Sequence, residues 1–201
     1  VVRPVLVDGL AGVVVSIEGR PVAVRAFTVA GGRIVAIDAL GEQLLTTGDR
    51  AGARRAFEES LDVMRELGDK SFVMASLHGL GDLELDSGNL SAASQRYRES
   101  LALALELDTP NVVLLTLAGL ASVAAVSRDL ARAGHLWATV EAMEERRGMR
   151  ILAFERERYE RTLDPYVSTP AFVAGLAEGK ELSQADVLHE VVVRARRAVQ
   201  Q

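Results

Sequence analysis

Any chemistry in this chain would have to come from three histidines, a handful of hydroxyls and a large set of carboxylates. His78, His135 and His189 are scattered, and no two stand four residues apart beside a glutamate. A helical zinc site needs that spacing to bring two imidazoles onto one face, so no metal is expected. No Gly-x-Ser-x-Gly run lifts a serine onto a strained turn as a nucleophile. The glycines of "DGLAG" (8–12) and "AGGR" (30–33) read as turn residues. Neither a phosphate-cradling Gly-x4-Gly-Lys-Ser/Thr loop nor a Gly-x-Gly-x-x-Gly helix opening is present, so no cofactor is expected. In "FERERYER" (154–161) glutamates and arginines stand at helical spacing, which reads as a solvated face. The residues point away from an enzyme.

Composition narrows the partners. The net charge of −5 lacks the basic excess that phosphate backbones require, so no direct nucleic-acid binding is expected. The absence of cysteine rules out disulfides, thiolate–zinc sites and a thiol nucleophile, and fits a reducing, cytoplasmic location. No apolar run reaches the roughly 18 residues of a membrane span. The opening "VVRPVLVDG" lacks a signal-peptide layout and begins without Met, as expected of a fragment or of a non-ATG start. Only Lys70 and Lys180 are lysines among 23 basic residues, a bias of GC-rich bacterial genomes such as those of actinobacteria. Aromatics make up 4% of a chain that is 49% hydrophobic, so the core must be aliphatic.

The elements that would position these residues fall into two patterns. Over 1–38, Val/Ile-rich runs alternate with Gly-containing turns: "RPVLV", "VVVSI", "PVAVRAFTV" and "RIVAI". They predict a three- or four-stranded antiparallel sheet, with Pro4 and Pro21 at strand starts, where a missing N–H is tolerated. From residue 39 the chain repeats with a period of 40. Phe57, Tyr97 and Trp137 are in phase, as are Ala53, Ala93 and Ala133. Leu40-Gly41 answers Leu80-Gly81 and Leu120-Ala121; Gly48-Asp49 answers Gly88-Asn89 and Arg128-Asp129. Gly48 and Gly88 suit left-handed helix ends, with Asp49, Asn89 and Asp129 following as N-caps. Arg128 in the glycine position should cost on the order of 1 kcal/mol if it must be left-handed. Ala53, Phe57, Leu61 and Met64 recur at helical spacing as one apolar face, and the three in-phase aromatics are expected in the core. Small Gly41, Gly81 and Ala121 let paired helices approach. Asp38 is the hinge between the patterns and the N-cap of a short helix over 39–47.

These residues resemble the tetratricopeptide repeat, a helix-turn-helix unit stacked into a superhelix, over about residues 37–147. The repeat is longer than that family's usual period of roughly 34 residues. The resemblance implies a concave groove lined by first helices. Carried over position by position, its binding residues are Glu42, His78, Asp82, Asp86 and Ser122. This face is mildly acidic, so a basic peptide or helix is the expected partner.

The tail predicts three helices: about 150–164; one from Thr169-Pro170, with proline at the first helical position; and one from Ser183, with Asp186 completing a capping pair. "RARR" (194–197) reads as a helix terminus. The phrase "ERERYERTLDPYVSTPAFVAGLAEGKELSQADVL" resembles the C-terminal region of actinobacterial LuxR-type and predicted-ATPase regulators. "RPVLVDGLAGVVVSIEGRPVAVRAFTVAGGRIVAID" is similar to the closing strands of the SnoaL-like domain at the C-terminus of extracytoplasmic-function sigma factors.

The expected fold is α+β: a short N-terminal antiparallel β-meander (1–38), then a mainly α tetratricopeptide-like solenoid (39–148), then C-terminal capping helices (149–201). The expected function is a non-catalytic protein–protein interaction module, scaffold or sensor, of a bacterial transcriptional regulator. The alternatives are a sigma-factor-associated accessory protein contacting RNA polymerase and a small-molecule-binding or cyclase-like SnoaL protein. An uncovered sheet invites pairing, so a homodimer through the N-terminal strands is a further expectation.

Overall fold

A computed structural model describes residues 2–7, 10–17, 20–26, 29–30, 33–34, 49–148 and 150–181. The expected helix over 39–47, Glu42, Gly41, Gly48, the helix from Ser183, His189 and the "RARR" tail lie outside these residues. The chain divides into two compact units, Val1–Gly79 and Leu80–Gln201.

In the first unit, β1 (Val2–Val7), β2 (Leu10–Ile17) and β3 (Arg20–Ala26) form an antiparallel sheet in that order. Val2 pairs with Val15, and Val14 with Val24. The register slips between Val15 and Ser16, where Ser16 faces Pro21. Proline cannot donate to a ladder, and an extra residue in β3 accommodates it. β4 (Val29–Ala30) and β5 (Arg33–Ile34) form a separate antiparallel pair.

Helix α1 (Arg50–Leu67) follows. The Gly52 amide donates to Asp49 Oδ1 at 2.8 Å and so caps the helix start. Its end closes on Gly68 at φ 73°, with the Asp69 amide donating to the Met64 carbonyl at 3.0 Å. The same Asp69 then starts α2 (Lys70–Asp86): its Oδ1 accepts from the Ser71 and Phe72 amides at 3.1 and 3.3 Å. Ala53, Phe57, Leu61 and Met64 are all buried, as their spacing predicts. The Phe57 ring lies directly against Gly79, where a methyl group would overlap it.

In the second unit the last turns of α2 lead to α3 (Leu90–Glu106), α4 (Pro110–Val126), α5 (Leu130–Arg147), α6 (Ala153–Leu163) and α7 (Pro170–Glu181). α4 is apolar on every side and buried along almost its whole length, as a central helix must be. It packs on α3, α5 and α6. α7 packs on α5 through glycine. A Cβ at Gly134 would stand 2.8 Å from the Leu176 amide nitrogen, and one at Gly175 would stand 2.6 Å from the Ala131 carbonyl carbon. Backbone therefore meets backbone at this crossing.

Left-handed residues recur at Gly68, Gly88, Asp108, Arg128 and Gly148, one every twentieth position. Arg128 takes the turn at φ 67° despite its side chain, and its guanidinium lies 5.1 Å from the Tyr166 ring centroid. Such a contact is worth about 0.5–1 kcal/mol and offsets part of the backbone strain. Two expectations about caps need correction. Asn89 and Asp129 occupy N-cap positions, yet neither side chain caps its helix. Asn89 Nδ2 instead donates to Glu84 Oε2 at 2.7 Å. The helix expected over 150–164 is shorter, Ala153–Leu163.

Candidate functional site

The C-terminal half of α2 reads "LGDLELD", and Asp82 and Asp86 stand one turn apart on one face. Asp82 is a buried acid that spends both oxygens. Its Oδ1 accepts from the Tyr97 hydroxyl at 2.5 Å and from the Tyr159 hydroxyl at 3.1 Å. Its Oδ2 accepts from Arg158 Nη1 at 2.6 Å. Arg158 Nη2 donates to the Asp82 backbone carbonyl at 3.0 Å and to Asp86 Oδ1 at 3.1 Å. One guanidinium therefore binds three oxygens of α2, and the desolvated carboxylate is paired and hydrogen-bonded as burial demands.

Small residues make room for this cluster. A Cβ at Gly81 would lie 2.7 Å from the Tyr97 ring, and one at Gly119 would lie 2.6 Å from it. The ring slides between α2 and α4 and delivers its hydroxyl to Asp82. Phe57, Tyr97 and Trp137 are all buried, as their phase predicts, but Tyr97 adds a polar function to its packing role. Burial pushes the phenols of Tyr97 and Tyr159 well above their ordinary range, and the negative charge of Asp82 pushes the same way. Burial works against the charge of Arg158, but Asp82, Tyr159 and Asp86 outweigh it, and the guanidinium is held even more firmly protonated. These phenols are hydrogen-bond donors. Asp82 thus accepts from one arginine and two tyrosines.

A second anchor lies at the start of α6. Arg156 pairs with the buried Glu144 of α5 and donates to Glu160 Oε1 at 2.7 Å. Its guanidinium lies 5.2 Å from the Trp137 ring centroid. The other Glu144 oxygen accepts the Ile151 amide at 2.9 Å. The reading of "FERERYER" as a solvated face is thus corrected. Arg156 and Arg158 point to different neighbours, α5 and α2, and Tyr159 is fully buried. Alternating charges at i and i+2 lie on opposite flanks of a helix, so each flank meets its own acid.

Of the residues assigned to a binding groove, Asp82 and Asp86 are brought together by Arg158. Ser122 is fully buried on α4, and its hydroxyl donates to the Ala118 carbonyl at 3.0 Å. His78 is half-buried on α2, in the first unit. Glu42 lies outside the described residues. Arg158 and Tyr159 were not legible as site residues, whereas Tyr97 gave one signal, a tyrosine where the preceding repeat carries Phe57. Among the described residues no group of acidic or histidine side chains could hold a metal ion, and no helix is long and apolar enough to cross a membrane.

No curated protein and no solved structure matches the chain. Residues 33–106, which take in α1, α2 and α3, match the family model of the tetratricopeptide repeat, and over that span the chain is similar to this family of helical interaction repeats.

Proposed function

We propose that the chain is a non-catalytic protein–protein interaction module, the scaffold or sensor portion of a bacterial transcriptional regulator acting in the cytoplasm. Tetratricopeptide repeats serve protein–protein interaction, and the match over residues 33–106 supports that part of the reading. The regulatory context rests on the tail phrase and its resemblance to LuxR-type regulators. The N-terminal strands are read as a partial SnoaL-like sheet through which two copies pair. In this reading 1–38 is the sheet, 39–148 the repeats and 149–201 the cap.

One observation carries the choice of partner: Asp82 and Asp86 present carboxylates one turn apart and already grip a guanidinium. A basic protein segment is the natural ligand of such a face. The test is affinity capture from an actinobacterial lysate with the full chain and with Asp86→Asn, a change at the exposed rim. The expected result is a transcription-associated protein retained by the wild type and lost by the variant. Capture that is indifferent to Asp86 would sink the reading.

A further inference from the structure

Helix α6 is held in an unusual way. Six of its eleven residues are charged, and they balance: Glu155, Glu157 and Glu160 against Arg156, Arg158 and Arg161. Its buried residues are Tyr159 and Leu163, while Phe154 is 62% exposed. The grip therefore comes from Arg158 on Asp82 and Asp86, from Arg156 on Glu144, and from a narrow apolar seam. α7 differs, because it meets α5 by glycine-mediated backbone contact that no other chain could reproduce without the same glycines.

We propose that the Asp82–Asp86 face of α2 is a receptor for an arginine–tyrosine pair carried on a helix. α6 is its resident occupant, and a partner helix presenting the same pair takes its place. This rests on the reading of α2 as a protein-binding face and names what that face binds. Polar contacts exchange at little net change when a competitor brings equivalent groups, whereas a sealed apolar contact does not. α6 is tethered at both ends, by the left-handed Gly148 and by the turn over 164–168, so it competes at high effective concentration. A winning partner needs more positive charge than α6 offers. Its own three glutamates weaken its attraction to an acidic face, and a helix with Arg-Tyr and basic flanks lacks that handicap.

The test uses the full chain and a labelled synthetic peptide of residues 150–164, followed by fluorescence anisotropy. Arg158→Glu expels the resident helix by placing a carboxylate against Asp82 and Asp86. The variant should bind the peptide at least about tenfold more tightly than the wild type, with affinity falling as salt rises. A peptide carrying Arg158→Glu should not bind. A variant with wild-type helix content that binds the peptide no better than the wild type does would overturn the proposal. If the variant does not fold, hydrogen exchange on the wild type decides. About 0.5 M salt should speed exchange of the 155–163 amides while leaving α5 unchanged. Equal rates in α6 and α5 would overturn it. Neither measurement needs an outside partner, so a failed lysate capture does not affect this result.

Discussion

The Arg158 guanidinium closes on the Asp82 carboxylate at 2.6 Å across 76 positions of sequence, and both side chains are mostly shielded from water. Separating such a pair leaves one charge desolvated and alone. Asp82→Asn should therefore cost about 2–4 kcal/mol, whereas Asp86→Asn, at the exposed rim, should cost under about 1 kcal/mol. Urea denaturation of the two variants measures the gap. Equal losses would show that the pair contributes no more than a surface contact.

Tyr97 offers a cleaner subtraction. Phe57 fills the equivalent place one period earlier, so Tyr97→Phe keeps the ring and removes one hydrogen bond to a carboxylate. The expected loss is about 1.5–3 kcal/mol. Phe57→Tyr, which buries a new hydroxyl, should gain nothing. A Tyr97→Phe protein as stable as the wild type would show that the bond to Asp82 is energetically neutral.

The raised phenols of Tyr97 and Tyr159 carry a pH consequence. A folded pKa above the unfolded value of 10.0 favours the protonated, folded state. Their contribution is complete below pH 10.0 and is lost as pH rises beyond it. Ultraviolet titration should show both phenols ionising only together with loss of helical circular dichroism. Reversible ionisation of both near pH 10.0 in a folded chain would contradict the buried cluster.

At Arg128 two effects oppose each other. The left-handed turn disfavours any side chain, while the Tyr166 ring rewards this one. Arg128→Ala keeps the strain and loses the ring, and Arg128→Gly loses both. Glycine should be about 1 kcal/mol more stable than alanine here, with arginine between or near glycine. Thermal melts of the three proteins give the order, and alanine at the top would refute the account.

At the α5–α7 crossing, Gly175→Ala drives a methyl into the Ala131 backbone, which no rotamer change can relieve. A loss of about 3 kcal/mol is expected, with α7 detaching first. Gly148→Ala meets open space and only a positive φ, so about 1 kcal/mol is expected there. Limited proteolysis near Pro170 distinguishes a detached α7 from general unfolding.

Much of the helical repeat was legible because periodicity is an in-phase signal. Ala53, Phe57, Leu61 and Met64 could be placed in the core by counting. Arg128 could be placed in a left-handed turn because Gly88 lies one period earlier. The polar cluster was less legible, since Asp82 and Arg158 belong to segments with no common phase, and nothing local pairs them. "ERERYER" has no single apolar flank, so its charges looked solvated although two arginines serve different helices. Asn89 shows the limit of positional rules: its place is that of an N-cap, but the nearby Glu84 is the better partner for its amide.

The regular spacing of left-handed residues from Gly68 to Gly148 gives the chain a fixed reading step. Within the second unit the steps at Asp108 and Arg128 fold α3, α4 and α5 back on one another in succession, so there the sequence has a parity as well as a period. Excising two steps returns every later helix to its original heading. Excising one would present the next helix upside down to its neighbour. Growth or loss by duplication in such a chain is therefore quantised in pairs, and an odd-numbered edit is a frameshift written in three dimensions.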